Sequence, residues 1–511
     1  MALEHLVSCL LIQIVCFKPK QILLLSVSDS RSLQNFSIMK ISCAIILLLS
    51  LHLYADANVV SINTARTVAL NFYQSTTGSQ TSPTASLMLV QSESDGTVDF
   101  YVFDIGVAGF VIVSAADNVP PVLGYSTETN FATGIPEIGI KGWLNHTALD
   151  IHQAVIRYIP AAAHSAALWS QYLSSSQVPA GRSIGIGPLL TTTWGQAPYS
   201  NTLCPYDNTN QAKSVTGCLA TAMAQIMKLW SFPARGVGSY SYVDSQSHAG
   251  YSLNIGRISA DFAATAYQWS QMPSTLTTDN AAVSTLMYQC GVSMAMNYTA
   301  RGSSAYMYYT GHPSTFTAFT EYFSYDAHTM QFVEKANYTS ADWQTMIENE
   351  LNQGRPILYS GQDTGNIGGH AWVCDGYDAG GMLHMNWGWG GMDNGYFLTT
   401  DLNPGAQNWT WSQAALIGIQ PDPSALSVNN VSENLSFKLY PNPASDRITI
   451  AGNNTGTATD YTIYDIAGHN VSRGRMTDSE TIETLGWAPG IYFAKLQNDR
   501  QQSTHTFIVG K

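Results

Sequence analysis

The apolar positions change period along the chain, and those changes divide it. An apolar run over residues 41–53 follows Met39-Lys40 and precedes Ala55-Asp56-Ala57. A charge, an apolar core and small residues spaced for cleavage make a signal peptide, and the run is too short to cross a bilayer stably. Residues 39–57 therefore read as the leader, Met39 as the initiator and residues 1–38 as a mis-called extension. Next comes a helical period over residues 64–73, then two runs rich in aromatic and β-branched residues, 99–104 and 109–114, which predict strands. A second helical stretch spans 148–166. The pattern is that of a small α+β domain without clustered nucleophile, base or metal ligands.

Around residues 174–187 the sequence turns to Ser, Gly and Pro with the single Arg182, the composition of an exposed, cleavable linker. A larger unit follows, with helices predicted at 218–230 and 281–291 and strand-like runs in its second half. Pro421-Asp-Pro423 opens another linker, 421–434. The last segment, 435–511, carries short strand-like runs at 447–451, 461–465 and 490–495, predicting a small β-sandwich.

Composition narrows the function. Only 11% of residues are charged and the formal net charge is −13, with no Lys/Arg-rich stripe, so nucleic acid is excluded as a partner. Seven cysteines occur without a CxxC spacing, which argues against a zinc module or a disulfide scaffold. Cys204, Cys218, Cys290 and Cys374 lie beyond the leader, and an exported protein that keeps thiols may be read as keeping one for chemistry.

Cys218 is the candidate nucleophile. It opens the segment Cys218-Leu-Ala-Thr-Ala-Met-Ala-Gln-Ile-Met-Lys-Leu-Trp230, where Leu219, Ala222, Met223, Ile226 and Leu229 recur at helical spacing. A thiol at a helix N-terminus faces unsatisfied amides, so its ionisation is expected to be easier. Gly217 leaves room beside the sulfur. The candidate base is His370 in Gly368-Gly369-His370-Ala-Trp-Val-Cys374, a strand opened by glycines; imidazole can take a proton from the thiol and return it to a leaving amine. Cys374 shares that strand face but sits four residues on, about 13 Å away, too far for direct transfer. It reads as packing, as do Cys204 and Cys290. Asn386, in Leu383-His-Met-Asn386-Trp387-Gly-Trp-Gly-Gly391, is the candidate to orient the imidazole, and Trp387 to shield that contact. Gln196, in Thr193-Trp-Gly-Gln196, offers an oxyanion donor alongside the Cys218 backbone N–H. HExxH, GxSxG and phosphate-loop patterns are missing, and neither a metal site nor a cofactor is expected.

These blocks, in order, resemble the streptopain-type cysteine peptidases over roughly residues 58–420: Trp194-Gly-Gln196, Gly217-Cys218-Leu-Ala-Thr, Gly368-Gly369-His370-Ala and Asn386-Trp-Gly-Trp-Gly-Gly391. The resemblance implies an α+β, papain-like two-lobed peptidase domain at 183–420, acting on proteins or peptides with an apolar residue two positions before the cut. It implies Cys218 as nucleophile, His370 as base, Gln196 in the oxyanion hole, and Asn386 and Trp387 supporting the histidine. Residues 58–182 resemble the family's inhibitory prodomain plus linker, so the prodomain would be an intramolecular partner. Segment 403–411 is poorer in glycine than the family's mobile loop. Residues 435–511, with Leu439-Tyr-Pro-Asn-Pro and Pro489-Gly-Ile-Tyr492, are similar to the type IX (Por) sorting domain, implying export machinery as a further partner and a secreted or outer-membrane destination. An inactive scaffold protein would require a broken Cys218/His370 pair. Amidase or transglutaminase-like acyl transfer would use the same dyad.

Overall fold

A computed structural model describes residues 59–79, 83–133, 138–174, 184–244, 247–248, 251–252, 255–363, 369–399, 411–426, 437–452, 458–497 and 502–510. The leader and the preceding extension, most of the 174–187 linker with Arg182, Gly368, nearly all of segment 403–411 and most of the 421–434 linker lie outside them.

Helix α1 (Ile62–Thr77) is capped by Ser61, whose Oγ accepts the Thr64 N–H at 3.1 Å, and closed by Gly78 at φ 65°. Strands β1 (Ala85–Ser92), β2 (Val98–Ile105), β3 (Phe110–Ser114) and β4 (Val122–Ser126) form an antiparallel meander. Two helices, α2 (Ile138–Ile156) and α3 (Ala163–Leu173), replace the single stretch expected over 148–166. Pro160 lies in the break; it has no N–H to donate and disfavours the helical conformation in the residue before it.

The catalytic-size unit follows with α4 (Cys218–Trp230), α5 (Ala281–Ser293), β5 (Gln331–Glu334), α6 (Ser340–Asn352), β6 (Ile357–Asp363), β7 (Gly369–Asp378), β8 (Leu383–Asn386), β9 (Gly395–Phe397) and β10 (Trp411–Ile417). Its sheet is not separate from the first. One eleven-stranded sheet runs β1-β2-β3-β4-β9-β8-β7-β6-β10-β5, with the short strand Ile184–Ile186 beside β7. The junction is β4 on β9, registering Tyr125 with Tyr396 and Gly124 with Phe397, and the Leu398 N–H extends it to the Leu123 carbonyl at 2.9 Å. Strands β1–β4 of the N-terminal unit thus extend one edge of the sheet that the following unit builds.

Strand alternation sorts the core. Ala371 and Val373 of β7 join α4 and α5 on one face, while Trp372 and Cys374 point to the other, under α2 and α6. Residues 219–227 of α4 are all buried, which fits a central helix apolar on every side; Leu229, expected in the core, is exposed. The C-terminal segment forms two facing antiparallel sheets of three and four strands around Ile448, Ile450, Ile463, Ala494 and Phe507.

Candidate active site

Cys218 is the first residue of α4, and Gly217 before it adopts φ 89°, ψ 141° without a side-chain cap. The backbone N–H groups of Ala371, Leu219 and Cys218 lie near enough to the sulfur to favour its thiolate, so the helix start and strand β7 meet at it. Ala371 adjoins His370, which brings the two candidate segments together. Their side chains are not joined. Nε2 of His370 lies 2.9 Å from the Trp387 carbonyl, and the ring lies nearly parallel to those of Trp372 and Trp389, at 5.9 and 5.6 Å. Among the described residues no hydrogen bond links the sulfur to the imidazole.

Both groups are consequently held neutral. Burial pushes the Cys218 thiol up, outweighing the three N–H donors, contrary to the easier ionisation expected at a helix start. Burial likewise lowers His370 to about 4, against the hydrogen bond to Trp387. Cys218 alone of the four described cysteines keeps partial exposure, and burial raises the other three, Cys204 to about 12.

The remaining candidates divide. Gln196 is buried, and its carbonyl accepts the Thr216 N–H at 3.2 Å, anchoring it two residues before the nucleophile. Trp387 holds the imidazole through its carbonyl, while its indole donates to the Asp393 carbonyl at 3.0 Å. Asn386 does not reach His370. Its Nδ2 donates to Thr192 O at 2.7 Å, and its Oδ1 accepts from Gln225 Nε2 at 3.2 Å and Gly388 N at 3.2 Å. Sequence reading missed Gln225, and also Trp389, whose ring rather than that of Trp387 lies along the histidine. The density of tryptophans after Asn386 was the available signal.

The N-terminal unit reaches this site. Ala132 N–H donates to Asp393 Oδ1 at 2.8 Å, behind Trp387, and Trp143 of α2 donates to the Leu398 carbonyl at 2.8 Å. Across the same junction, buried His384 places Nδ1 2.6 Å from Asp375 Oδ1 and Nε2 3.3 Å from Glu128 Oε1. Burial alone would lower His384, but Asp375 and Glu128 outweigh it and push it up to about 9; the contact with His384 holds Glu128 below its usual range.

The comparisons with known proteins decide the family. Residues 194–397 match the peptidase C10 family, and streptopain of Streptococcus pyogenes is 30% identical over 345 residues, covering 63% of this chain and 81% of that protein. The chain belongs to the peptidase C10 family. It is a cysteine-type peptidase whose residues 57–151 match the Spi protease inhibitor and whose residues 438–510 match a secretion system C-terminal sorting domain, which marks a secreted or cell-surface bacterial protein. A thiol protease/hemagglutinin, PrtT of Porphyromonas gingivalis, is 30% identical over 392 residues; the match takes in 72% of this chain but only 42% of that protein. A prointerpain A fragment of Prevotella intermedia, 29% identical, superimposes with a TM-score of 0.52, covering 66% of this chain and all of the fragment. The papain-like fold with its prodomain is thereby shown.

Two predictions arise here. With Cys218 raised and His370 lowered, the precursor's thiol is protonated at neutral pH; alkylation by iodoacetamide, mapped to Cys218 by mass spectrometry, is expected to be about 10-fold or more slower in the precursor than in the mature form at pH 7. The Glu128–His384 contact gives the prodomain a pH-dependent grip. His384 is raised, so its contribution is full below its ordinary 6.5 and is lost as pH rises through about 9; Glu128 is lowered, so its contribution is present above its ordinary 4.5 and fails as pH falls. Grip is strongest between those ordinary values. Glu128→Gln is expected to speed precursor maturation there by roughly 2- to 5-fold, read as a gel time course, because a half-exposed ion pair is worth little more.

Proposed function

We propose that the chain is a secreted cysteine endopeptidase made as a zymogen, with Cys218 as nucleophile and His370 as general base and acid. The observation that carries this reading is the meeting of the α4 start and strand β7 at one sulfur, in the one described cysteine that keeps exposure. In the active form the Cys218 proton passes to His370 and the sulfur attacks the scissile carbonyl, forming a tetrahedral oxyanion. The Cys218 backbone N–H and the Gln196 amide donate to that oxyanion. The C–N bond breaks as His370 delivers its proton to the leaving amine, leaving a thioester. Water, losing a proton to His370, attacks the thioester and restores the thiol. The chain's own residues perform each step without a metal or cofactor.

In the precursor the imidazole is turned to the Trp387 carbonyl, behind which Asp393 contacts the prodomain at Ala132. We read removal of residues 58–182, by cutting in the 174–187 linker, as the step that frees the ring to face the sulfur. Substrates are proteins or peptides, and the C-terminal domain addresses the export machinery. Incubating purified precursor with denatured casein, with and without iodoacetamide added after maturation, tests the reading on a gel. Digestion that stops when Cys218 is alkylated supports it; digestion that persists with Cys218 fully alkylated overturns it.

A further inference from the structure

The helix that begins with Cys218 carries a second functional feature two turns on. Cys218, Thr221 and Gln225 fall on one face of α4 at steps of three and four. Gln225 is fully buried among mostly apolar side chains of its helix, where a polar amide survives only if it is satisfied. Its Oε1 accepts the Trp194 N–H at 3.1 Å, and its Nε2 donates to Asn386 Oδ1 at 3.2 Å, with Asn386 Nδ2 returning toward Oε1 at 3.4 Å. Backbone donors at each end settle which way the amides point: Trp194 N requires an oxygen on Gln225, and Gly388 N, at 3.2 Å, requires one on Asn386. Asn386 then donates to the Thr192 carbonyl at 2.7 Å.

Three segments therefore meet at one buried amide pair: the nucleophile helix, the strip 192–196 that ends in Gln196, and the turn 386–389 that supplies the Trp387 carbonyl and the Trp389 ring to His370. We infer that Gln225 is a positioning residue, which holds the oxyanion donor Gln196 and the turn that contacts His370 in register with the Cys218 sulfur. Asn386 acts in that network rather than on the imidazole in the precursor. The inference rests on the Cys218–His370 reading above.

The geometry makes a distinctive demand. Gln225→Met fills the same volume but leaves Trp194 N without its acceptor and takes one partner from each end of Asn386, which keeps Thr192 O and Gly388 N, so strip and turn lose their tie to the helix while the sulfur stays at its head. A misplacement of about 1 Å can cost on the order of 100-fold in rate. The mature variant is expected to lose roughly 10- to 100-fold in kcat with KM changed less than about 3-fold. The exchanged pair Gln225→Asn/Asn386→Gln keeps the reciprocal amides and is expected to recover at least about 10-fold in kcat over the product of the two single exchanges.

A thermal midpoint that falls while kcat and KM hold within about 2-fold would reduce Gln225 to packing and overturn the inference, as would an exchanged pair no better than that product. If Gln225→Met does not fold, the single exchanges and the exchanged pair decide alone. Failure of the underlying reading is separable: it would appear as turnover surviving Cys218→Ala, whatever Gln225 does.

Discussion

Cys218→Ala is expected to abolish both self-maturation and casein hydrolysis, with kcat/KM down by about 10⁵-fold or more, the scale seen when a covalent nucleophile is removed. The other thiols cannot take over. Cys290 and Cys374 are fully buried and held protonated by that burial, and Cys204 is raised to about 12. His370→Ala is expected to lose somewhat less, about 10³- to 10⁴-fold, since general acid–base transfer supplies that much and the thiol can still react slowly. The two losses are not additive, because base and nucleophile act as one unit: the double variant should be no worse than Cys218→Ala. Rates on a fluorogenic peptide, with enzyme matured by an added protease so that processing is not limiting, check all three.

Gly217→Ala is expected to be the next most damaging change. Gly217 holds φ 89° and ψ 141°, a conformation that L side chains rarely adopt, and an added Cβ would lie 2.7 Å from Met296 Cε, 2.8 Å from Met296 Sδ and 3.3 Å from the Ser303 carbonyl. The dihedral strain alone costs about 1–3 kcal/mol. Relief by rotating the Gly217 backbone would carry Cys218 away from the Ala371 N–H, with a loss on the order of 100-fold in kcat. Trimming the neighbour separates the two causes: Met296→Ala added to Gly217→Ala removes the clash but not the dihedral, so only part of the activity and thermal midpoint returns. Full recovery would mean that crowding, not backbone conformation, requires the glycine.

The elements that carry Cys218 and His370 were legible because each depends on local pattern. A helical apolar repeat beginning at Cys218 and a strand opened by glycine at His370 are short-range signals, and the α4 and β7 elements form where those signals stand. The thiol's ionisation was misjudged because a helix N-terminus is a local property, whereas desolvation depends on everything packed around the sulfur. In this structure Asn386 sits against Gln225, a contact that local pattern does not reveal. Its partner, Gln225, looks in the sequence like one polar residue in an apolar helix, and only the fold brings the two together. The continuous sheet escaped notice for the same reason: β4 and β9 are separated by most of the peptidase domain, and a short strand does not encode which distant edge it will join. Pro160, in contrast, was a local breaker that the helical period of 148–166 obscured.

The central claim, that peptide-bond cleavage passes through a thioester on Cys218, is tested most directly by trapping that intermediate. Mature protein is mixed with an activated peptide ester, quenched in acid within its turnover time, digested and mapped by mass spectrometry. Cys218 as nucleophile requires the acyl mass on the fragment containing Cys218, its disappearance on longer incubation, and its loss in Cys218→Ala. Turnover with Cys218 free of acyl mass at every time point, or the adduct on Cys204, Cys290 or Cys374, would contradict it.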